Sequence, residues 1–241
     1  KYVLPSEMPT YFSKEALMAQ AVCARTFAYR QMKGKEYAAF GADLDDSTSF
    51  QVYHKRPRFE VTDKAVEETK GLVLTYGKEL ITCYYYSTSC GYSQSMEVWN
   101  ATSPAYFLTG NTTSAKKENL SLKKNFHSFI NTPVESFDDN SPYYRWEAGL
   151  SFSLGVDKEL GRIKKISIKD RSRQGFVTSL VLEGEFGNRE LTRENDIRKA
   201  LSPYITNVTL SDKTVYNKGI GLPSACFEIK SQKNGMVKLV G

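Results

Sequence analysis

Apolar and polar residues recur along the chain with two different spacings, one typical of helices and one typical of strands. Over residues 14–32, small and apolar side chains such as Leu17, Ala21, Ala24 and Ala28 repeat on one face, and the stretch contains no Gly or Pro. Ser13 is a good N-cap before this stretch, and Gly34 follows it. The pattern therefore predicts a central, alanine-rich helix over 14–32.

Two polar side chains, Gln20 and Arg25, lie within the small and apolar surface of this predicted helix. A buried polar group without a partner is costly. We therefore expect both side chains to have defined hydrogen-bond partners.

The next segments predict a polar loop, a short helix and a hairpin. The loop covers 41–53, the helix 61–70, and the strands 72–76 and 79–86, joined by Gly77-Lys78. A loop rich in hydroxyls follows over 87–95, and hydroxyl groups of this kind can hydrogen-bond a sugar.

The second half of the chain changes character twice. Residues 108–142 are rich in Thr, Ser, Asn, Lys and Asp, which is typical of a linker or surface insertion. Beyond Trp146 the pattern predicts strands over 163–168, 177–182, 208–210, 226–231 and 236–240, and a helix over 194–201. We therefore predict an α+β fold in which the N-terminal helix packs on the hairpin region and two lobes surround a groove. The predicted division is 1–107 as the N-terminal lobe, 108–145 as a linker or insertion, and 146–241 as a β-rich second lobe.

Composition and charge exclude some classes of function for this chain. The 241 residues are 40% hydrophobic with a net charge of +6, and the basic residues are scattered, with only short pairs such as Lys116-Lys117. No clustered basic helix or aromatic RNA-binding signature is present, so we expect no nucleic-acid partner. No apolar run reaches the roughly 18 residues of a membrane helix. His54 and His127 are the only histidines, and neither stands in a recognisable catalytic context.

Several stretches stand in a specific order and spacing. They are V-L-P-S-E-M-P at 3–9, E-A-L-M-A-Q-A-V-C-A-R-T-F-A at 15–28, D-D-S-T-S-F-Q-V-Y at 45–53 and Y-Y-S-T-S-C-G-Y-S-Q-S-M-E-V-W at 85–99, with weaker stretches at 142–147, 197–201 and 222–229. Together they resemble the stage II sporulation protein D (SpoIID) family, the lytic transglycosylases of sporulating Gram-positive bacteria. The broader family also includes amidase-enhancer-like proteins.

The resemblance implies that Glu7 is the catalytic acid. A glycosidic oxygen is a poor leaving group until it is protonated, and a partly desolvated carboxyl can supply that proton near neutral pH. Pro5 and Pro9 restrict the backbone around Glu7 and would hold its carboxyl rigidly. Without the surrounding motif, a Glu just before a helix is more often a solvated residue. Ordinary glycosidases use two carboxylates, whereas in a lytic transglycosylase the C6 hydroxyl of muramic acid replaces water, so one carboxyl suffices and a 1,6-anhydro end forms.

The resemblance also implies substrate-binding roles for further side chains, and it places Arg25 in the same groove as Glu7. The set is Gln20, Arg25, Gln51, Tyr86, Ser87, Ser89 and Tyr92. A structural ion pair is an equal alternative for Arg25, and structural turn roles are equal alternatives for Gln51 and the serines. For Trp99, core packing is favoured over stacking on a sugar ring.

Two departures from the family pattern limit what can be carried over. Members commonly have His at the position of Tyr86 and Gly at that of Cys90, so a metal site using that His is not implied, and no cofactor is expected. Cys83 and Cys90 could still meet each other or a metal, but two thiols alone make a weak site. The family usually continues with a Gly-His-Gly-Val-Gly-Met-Ser-Gln type segment beyond residue 241, so part of the groove is expected there.

The resemblance implies cleavage of the bond between N-acetylmuramic acid and N-acetylglucosamine in peptide-stripped peptidoglycan strands, during sporulation and engulfment. The expected partners are these glycan strands, a cell-wall amidase and a membrane-anchored engulfment complex. The expected location is the extracytoplasmic face of the membrane, with an anchoring N-terminal helix outside this chain. The alternative is a non-catalytic module that binds wall glycan or activates an amidase.

Overall fold

The structure is a computed structural model, and it describes residues 1–34, 37–46, 50–54, 57–114, 118–132, 134–217 and 219–241. Ser47, Thr48 and Ser49 of the predicted polar loop, and the Lys116-Lys117 pair, lie outside the described residues. By contacts the chain divides into two compact units, unit 1 at Lys1–Tyr86 and unit 2 at Ser87–Gly241. This boundary differs from the predicted lobe limits at 107 and 146, and residues 108–145 belong to unit 2.

In the part of unit 1 that the structure describes, three α-helices and one hairpin are the main elements. The elements are α1 (Leu4–Glu7), α2 (Lys14–Gly34), α3 (Glu60–Glu68), β1 (Thr75–Tyr76) and β2 (Glu79–Leu80). The Ser13 hydroxyl accepts the amide of Ala16 at 3.2 Å, which confirms the predicted N-cap of α2. Leu4, Leu17, Ala21 and Ala65 form a small buried core that joins the three helices. The predicted alanine-rich helix is therefore the centre of this unit.

Unit 2 is mainly β. Its helices are α4 (Lys123–Asn131) and α5 (Glu194–Leu201), and its strands are β3 (Trp146–Ser151), β4 (Ile163–Arg171), β5 (Val177–Gly184), β6 (Asn188–Leu191), β7 (Ile205–Leu210), β8 (Val215–Tyr216), β9 (Glu228–Lys233) and β10 (Met236–Val240). The strands form an antiparallel five-stranded sheet in the order β8-β7-β3-β10-β9 and an antiparallel three-stranded sheet in the order β4-β5-β6. The α+β class is confirmed, while the two lobes around a groove stay a prediction.

The core of unit 2 explains why its strands and helices form where they do. Alternate residues of β3 and β5, including Ala148, Leu150, Leu180 and Leu182, are buried in one large apolar cluster. The segment expected to be a linker or insertion contributes α4, which packs Phe126, Phe129 and Ile130 into a second cluster. None of the helices in the described residues is both long enough and apolar enough to cross a membrane.

Candidate active site around Glu7

Glu7 is the last residue of α1, and a tight turn fixes its backbone. Pro5 stands in the first turn of this helix, where its missing N–H leaves no hydrogen bond unmade. The amides of Glu7 and Met8 bond back to the carbonyls of Val3 and Leu4 at 3.0 Å each. The chain becomes extended at Met8 (φ −136°, ψ 134°), and the Glu7 side chain is half-buried.

Two donors reach the same oxygen of the Glu7 carboxyl. The backbone N–H of Val52 donates to Oε1 at 2.5 Å, and the hydroxyl of Tyr85 donates to Oε1 at 3.3 Å. Hydrogen bonds to a carboxylate are stronger than those between neutral groups. They hold the carboxyl in one orientation, and among the described residues they leave Oε2 as the oxygen without a donor.

Gln51 fixes the direction in which the Tyr85 hydroxyl donates. Its Nε2 donates to the carbonyl of Ala24 at 3.3 Å and to the Tyr85 hydroxyl oxygen at 3.1 Å. Because a carbonyl can only accept, the contact to Ala24 sets the orientation of the Gln51 amide. The Tyr85 oxygen then accepts from Gln51, and its own hydrogen points to Glu7.

The Tyr85 hydroxyl remains protonated at neutral pH. Burial raises the pKa of Tyr85 to about 12, and the neighbouring Glu7 carboxylate also raises it, although the hydrogen bond from Gln51 acts in the opposite direction. A phenol with this pKa stays a donor over the pH range in which a carboxyl titrates. The site is thus a chain of neutral donors that ends on one carboxylate oxygen.

Arg25 has the defined partners that the sequence predicts, and they are backbone carbonyls. Its Nη1 donates to the carbonyls of Thr69 and Leu72 at 2.8 and 2.9 Å, and its Nη2 donates to the carbonyl of Val66 at 3.2 Å and to the Thr69 hydroxyl at 3.3 Å. These contacts close the C-terminal end of α3. They are neither the ion pair nor a sugar contact, and a substrate-binding role for Arg25 stays a prediction.

Gln20 and Tyr86 have different surroundings within unit 1. Gln20 is buried, and its Nε2 finds no acceptor among the described residues, so the expectation of a partner for that atom is not met. Tyr86 is exposed. Of the predicted binding residues, Gln51 belongs to the hydrogen-bond network that ends on Glu7.

Ser87, Ser89 and Tyr92 belong to unit 2. Ser89 is buried, its hydroxyl donates to Asp138 Oδ2 at 2.5 Å, and its amide donates to the same oxygen at 2.9 Å. The Tyr92 ring is buried and packs on Phe129 with centroids 5.5 Å apart. Ser87 and Ser89 line a cavity of about 360 Å³ together with residues such as Tyr144, Arg198 and Leu222. In the hydroxyl-rich loop, Ser89 therefore makes structural contacts, whereas Ser87 is exposed. The sugar-binding roles of both serines stay predictions.

The cysteines have partners other than those considered from the sequence. The thiol of Cys83 contacts Cys23 within unit 1, and the thiol of Cys90 contacts Cys226 within unit 2. Among the described residues, no group of three or more His, Cys, Asp or Glu side chains is arranged to hold a metal ion. His127 pairs with Glu228 at 3.0 Å.

Sequence reasoning missed Tyr85, the side chain that contacts Glu7. No sequence pattern separates Tyr85 from Tyr84 and Tyr86, because a period of two over the predicted strand 79–86 places Tyr85 on the same face as the charged Glu79. Cys83 is buried and Tyr85 is half-buried, whereas Tyr84 and Tyr86 are exposed. This burial in the folded chain distinguishes Tyr85 from its two tyrosine neighbours.

Comparisons with known proteins agree with the motifs around Glu7. The sequence model of one family, SpoIID (Stage II sporulation protein), matches residues 1–76. Stage II sporulation protein D of Bacillus subtilis (strain 168) is 34% identical over 249 residues, covering 97% of this chain and 59% of that protein. The amidase enhancer of the same organism is 44% identical over 105 residues, covering 43% of this chain and 14% of that protein. Stage II sporulation protein D of Bacillus amyloliquefaciens is 36% identical over 118 residues, covering 42% of this chain and 34% of that protein.

The matched segments thus cover from 14% to 59% of the length of these relatives. The match to the Bacillus subtilis sporulation protein nevertheless extends over both compact units, and the family model covers the segments that carry Glu7, Gln51 and Val52. The chain belongs to the stage II sporulation protein D family.

Proposed function

We propose that the chain is a peptidoglycan lytic transglycosylase in which Glu7 acts alone as acid and then as base. The observation that carries the proposal is the pair of donors on Oε1 of Glu7, because it orients the carboxyl and stabilises the carboxylate that remains after proton transfer. Oε2 is then the oxygen that delivers the proton.

The reaction needs no second carboxylate and no water. Glu7 donates its proton to the glycosidic oxygen, and the bond between that oxygen and C1 of the muramic acid residue breaks. The resulting Glu7 carboxylate takes the proton of the C6 hydroxyl as the C6 oxygen bonds to C1. Glu7 is protonated again at the end, and the product carries a 1,6-anhydro ring. Two-carboxylate hydrolysis would instead place a second acidic side chain opposite Glu7.

The proposed substrate is the bond between N-acetylmuramic acid and N-acetylglucosamine in peptide-stripped glycan strands, cleaved during sporulation and engulfment. A cell-wall amidase would supply such strands by removing the stem peptides, and we propose it as the partner enzyme. Since this polymer lies outside the cytoplasm, the proposed location is the extracytoplasmic face of the membrane, in a membrane-anchored engulfment complex. The support for this step is family membership and the role of the relatives in sporulation.

The test compares the wild type with Glu7→Gln on purified, peptide-free glycan strands, with products analysed by mass. The amide of Gln keeps an oxygen that can accept from Val52 and Tyr85, so the fold is preserved while the acid is removed. The matched control is Glu79→Gln, the same change at an exposed position of the hairpin. Anhydro-ended fragments from the wild type and the control, with loss of at least about a hundredfold in Glu7→Gln, support the proposal.

A second function is favoured by the similarity to the amidase enhancer. In that case the chain binds wall glycan or activates an amidase without cutting the strand itself. If the wild type and Glu7→Gln bind strands equally and neither releases anhydro-ended fragments, this second function replaces the first. A Glu7→Gln protein that cuts as fast as the wild type shows instead that Glu7 is not the acid.

A further inference from the structure

The four cysteines form two contacting pairs, one in each compact unit, with no cysteine left over. Cys23 lies on α2 and contacts Cys83, which follows β2. Cys90 lies in the hydroxyl-rich loop and contacts Cys226, which precedes β9. All four are free thiols in the structure. If the four cysteines were placed at random, we would not expect each thiol to contact another thiol.

The first pair lies where α2 is tied to the hairpin. The Thr26 hydroxyl accepts the amide of Leu74 at 2.9 Å, and it also contacts the Cys83 thiol. One turn further along α2, Arg30 Nη1 donates to the carbonyl of Leu80 at 2.8 Å. These contacts fix α2 against the hairpin beside Cys23 and Cys83.

The second pair, Cys90 and Cys226, is buried inside unit 2. Cys90 and Cys226 belong to the same buried cluster as Leu120, Phe126 and Phe129. The carbonyl of Cys90 accepts from Arg145 Nη1 at 3.1 Å, which fixes the backbone beside the pair. Neither thiol of this pair is accessible to a reagent in the folded protein.

We propose that Cys23 with Cys83, and Cys90 with Cys226, form two disulfide bonds in the mature protein. Each bond closes a long loop within one unit and stabilises that unit by restricting its unfolded chain. Such bonds persist in oxidising compartments, which agrees with the extracytoplasmic location proposed above. The pairing itself rests on the thiol contacts, so it stands or falls independently of the transglycosylase proposal.

The first bond can form in the folded protein by thiol–disulfide exchange. The hydrogen bond from Cys83 lowers the pKa of Cys23 to about 7, and Cys23 is the more accessible of the two. Its thiolate attacks a disulfide of an oxidised dithiol protein or of a small disulfide such as oxidised glutathione, and one thiolate leaves. Cys83 loses its proton as its sulfur displaces the second thiolate. Two protein thiols are oxidised to one disulfide, and the reagent is reduced to two thiols.

The two bonds should therefore differ in accessibility. Because Cys90 and Cys226 are buried, their bond must form before unit 2 has packed, and a reductant should reach it only after unfolding. Reduction of the native protein should open the bond between Cys23 and Cys83 first. This order of reduction follows from the different burial of the two bonds. Random oxidation of exposed thiols would not produce it.

The test is peptide mapping of protein refolded with reduced and oxidised glutathione, after alkylation of free thiols and digestion without reductant. We expect two cross-linked peptides, one joining Cys23 to Cys83 and one joining Cys90 to Cys226. Four alkylated cysteines, or cross-links in any other combination, would overturn the proposal. The double variant Cys23→Ser/Cys83→Ser is the matched control and should retain only the second cross-link.

Stability provides a second readout that does not depend on peptide mapping. Addition of a reductant to the wild type should lower the unfolding temperature of the less stable unit by roughly 10 °C or more. The double variant lacks the bond between Cys23 and Cys83. Mild reductant should therefore leave its unfolding temperature unchanged. If mild reductant lowers the unfolding temperature of both proteins equally, the bond between Cys23 and Cys83 does not exist. Transglycosylase activity takes no part in either measurement.

Discussion

The hydroxyl of Tyr85 donates to Oε1 of Glu7 across 3.3 Å while its oxygen accepts from the Gln51 amide. A donor that is itself hydrogen-bonded is polarised, and in a half-buried site this strengthens its own hydrogen bond. Tyr85 is thereby a positioning residue for Glu7, since it acts through the carboxyl. The relationship also gives the carboxyl two distinct oxygens, one held by the protein and one available for the substrate.

Replacement of Tyr85 by Phe should lower kcat about ten- to a hundredfold, because it removes a hydrogen bond to the carboxylate that forms in the reaction. KM should change little. Rates on peptide-free strands over a series of substrate concentrations measure both parameters.

The matched control is Tyr29→Phe, which makes the same change at an exposed position of α2. It should leave both kcat and KM unchanged. A Tyr85→Phe protein with wild-type kcat would show that Tyr85 does not position Glu7.

Gln51 and Tyr85 should act as one unit. Gln51→Leu removes the donor that orients the Tyr85 hydroxyl and should lower kcat in the same direction as Tyr85→Phe. The double variant should lose little more than Tyr85→Phe alone, with a coupling energy between about 0.5 and 3 kcal/mol. Strict additivity of the two effects on kcat would mean that Gln51 acts elsewhere, for example only through its hydrogen bond to Ala24.

Strong local signals explain which elements could be predicted. The predicted helix over 194–201 coincides with α5, and the predicted strand over 236–240 coincides with β10. The sequence predicts that the central helix α2 ends at residue 32, and it ends at Gly34. The predicted hairpin is confirmed, but each of its strands is two residues long. The backbone of Leu74 and Leu80 bonds to the side chains of Thr26 and Arg30 on α2, and these tertiary contacts could not be read from a local pattern.

The candidate site was only partly predictable. Glu7 could be singled out because a whole motif surrounds it. The N–H of Val52 has no side-chain signature, and a backbone donor can be recognised only once the chain is folded. Tyr85 and Tyr86 are the same residue type, so composition and motif do not distinguish them, and the resemblance implies a binding role for Tyr86. Burial in the folded chain separates the two, because Tyr85 is half-buried and Tyr86 is exposed.

Arg25→Lys should destabilise unit 1 by about 2 to 4 kcal/mol, because an ammonium cannot reproduce the four contacts of the guanidinium with Val66, Thr69 and Leu72. Urea unfolding followed by circular dichroism measures the change. Arg30→Lys, which affects a single hydrogen bond to Leu80, is the control and should cost less. If the folded Arg25→Lys protein keeps wild-type stability but raises KM, Arg25 binds substrate as the resemblance implied.

Ser89→Ala should destabilise unit 2 by about 1 to 3 kcal/mol, since it leaves Asp138 without a hydroxyl donor and Thr112 without its partner at 2.8 Å. KM for glycan strands should not change in the folded protein. Ser87→Ala is the control at the exposed neighbouring serine and should leave stability unaltered. A rise in KM for Ser89→Ala without loss of stability would restore its predicted role as a sugar ligand.

Asp157 should make the stability of unit 2 depend on acid pH. Burial acts to raise its pKa, but the amides of Leu160 and Glu159 and the guanidinium of Arg189 outweigh it, so the pKa of Asp157 is lowered from its usual 3.8. Its contribution is therefore fully present above pH ~4 and is lost as pH falls through the lowered pKa. Asp157→Asn should cost about 1 to 2 kcal/mol at neutral pH, and the difference from wild type should narrow in acid. Urea unfolding at pH 7 and pH 3 checks this, and a difference that widens in acid would contradict the assigned sign.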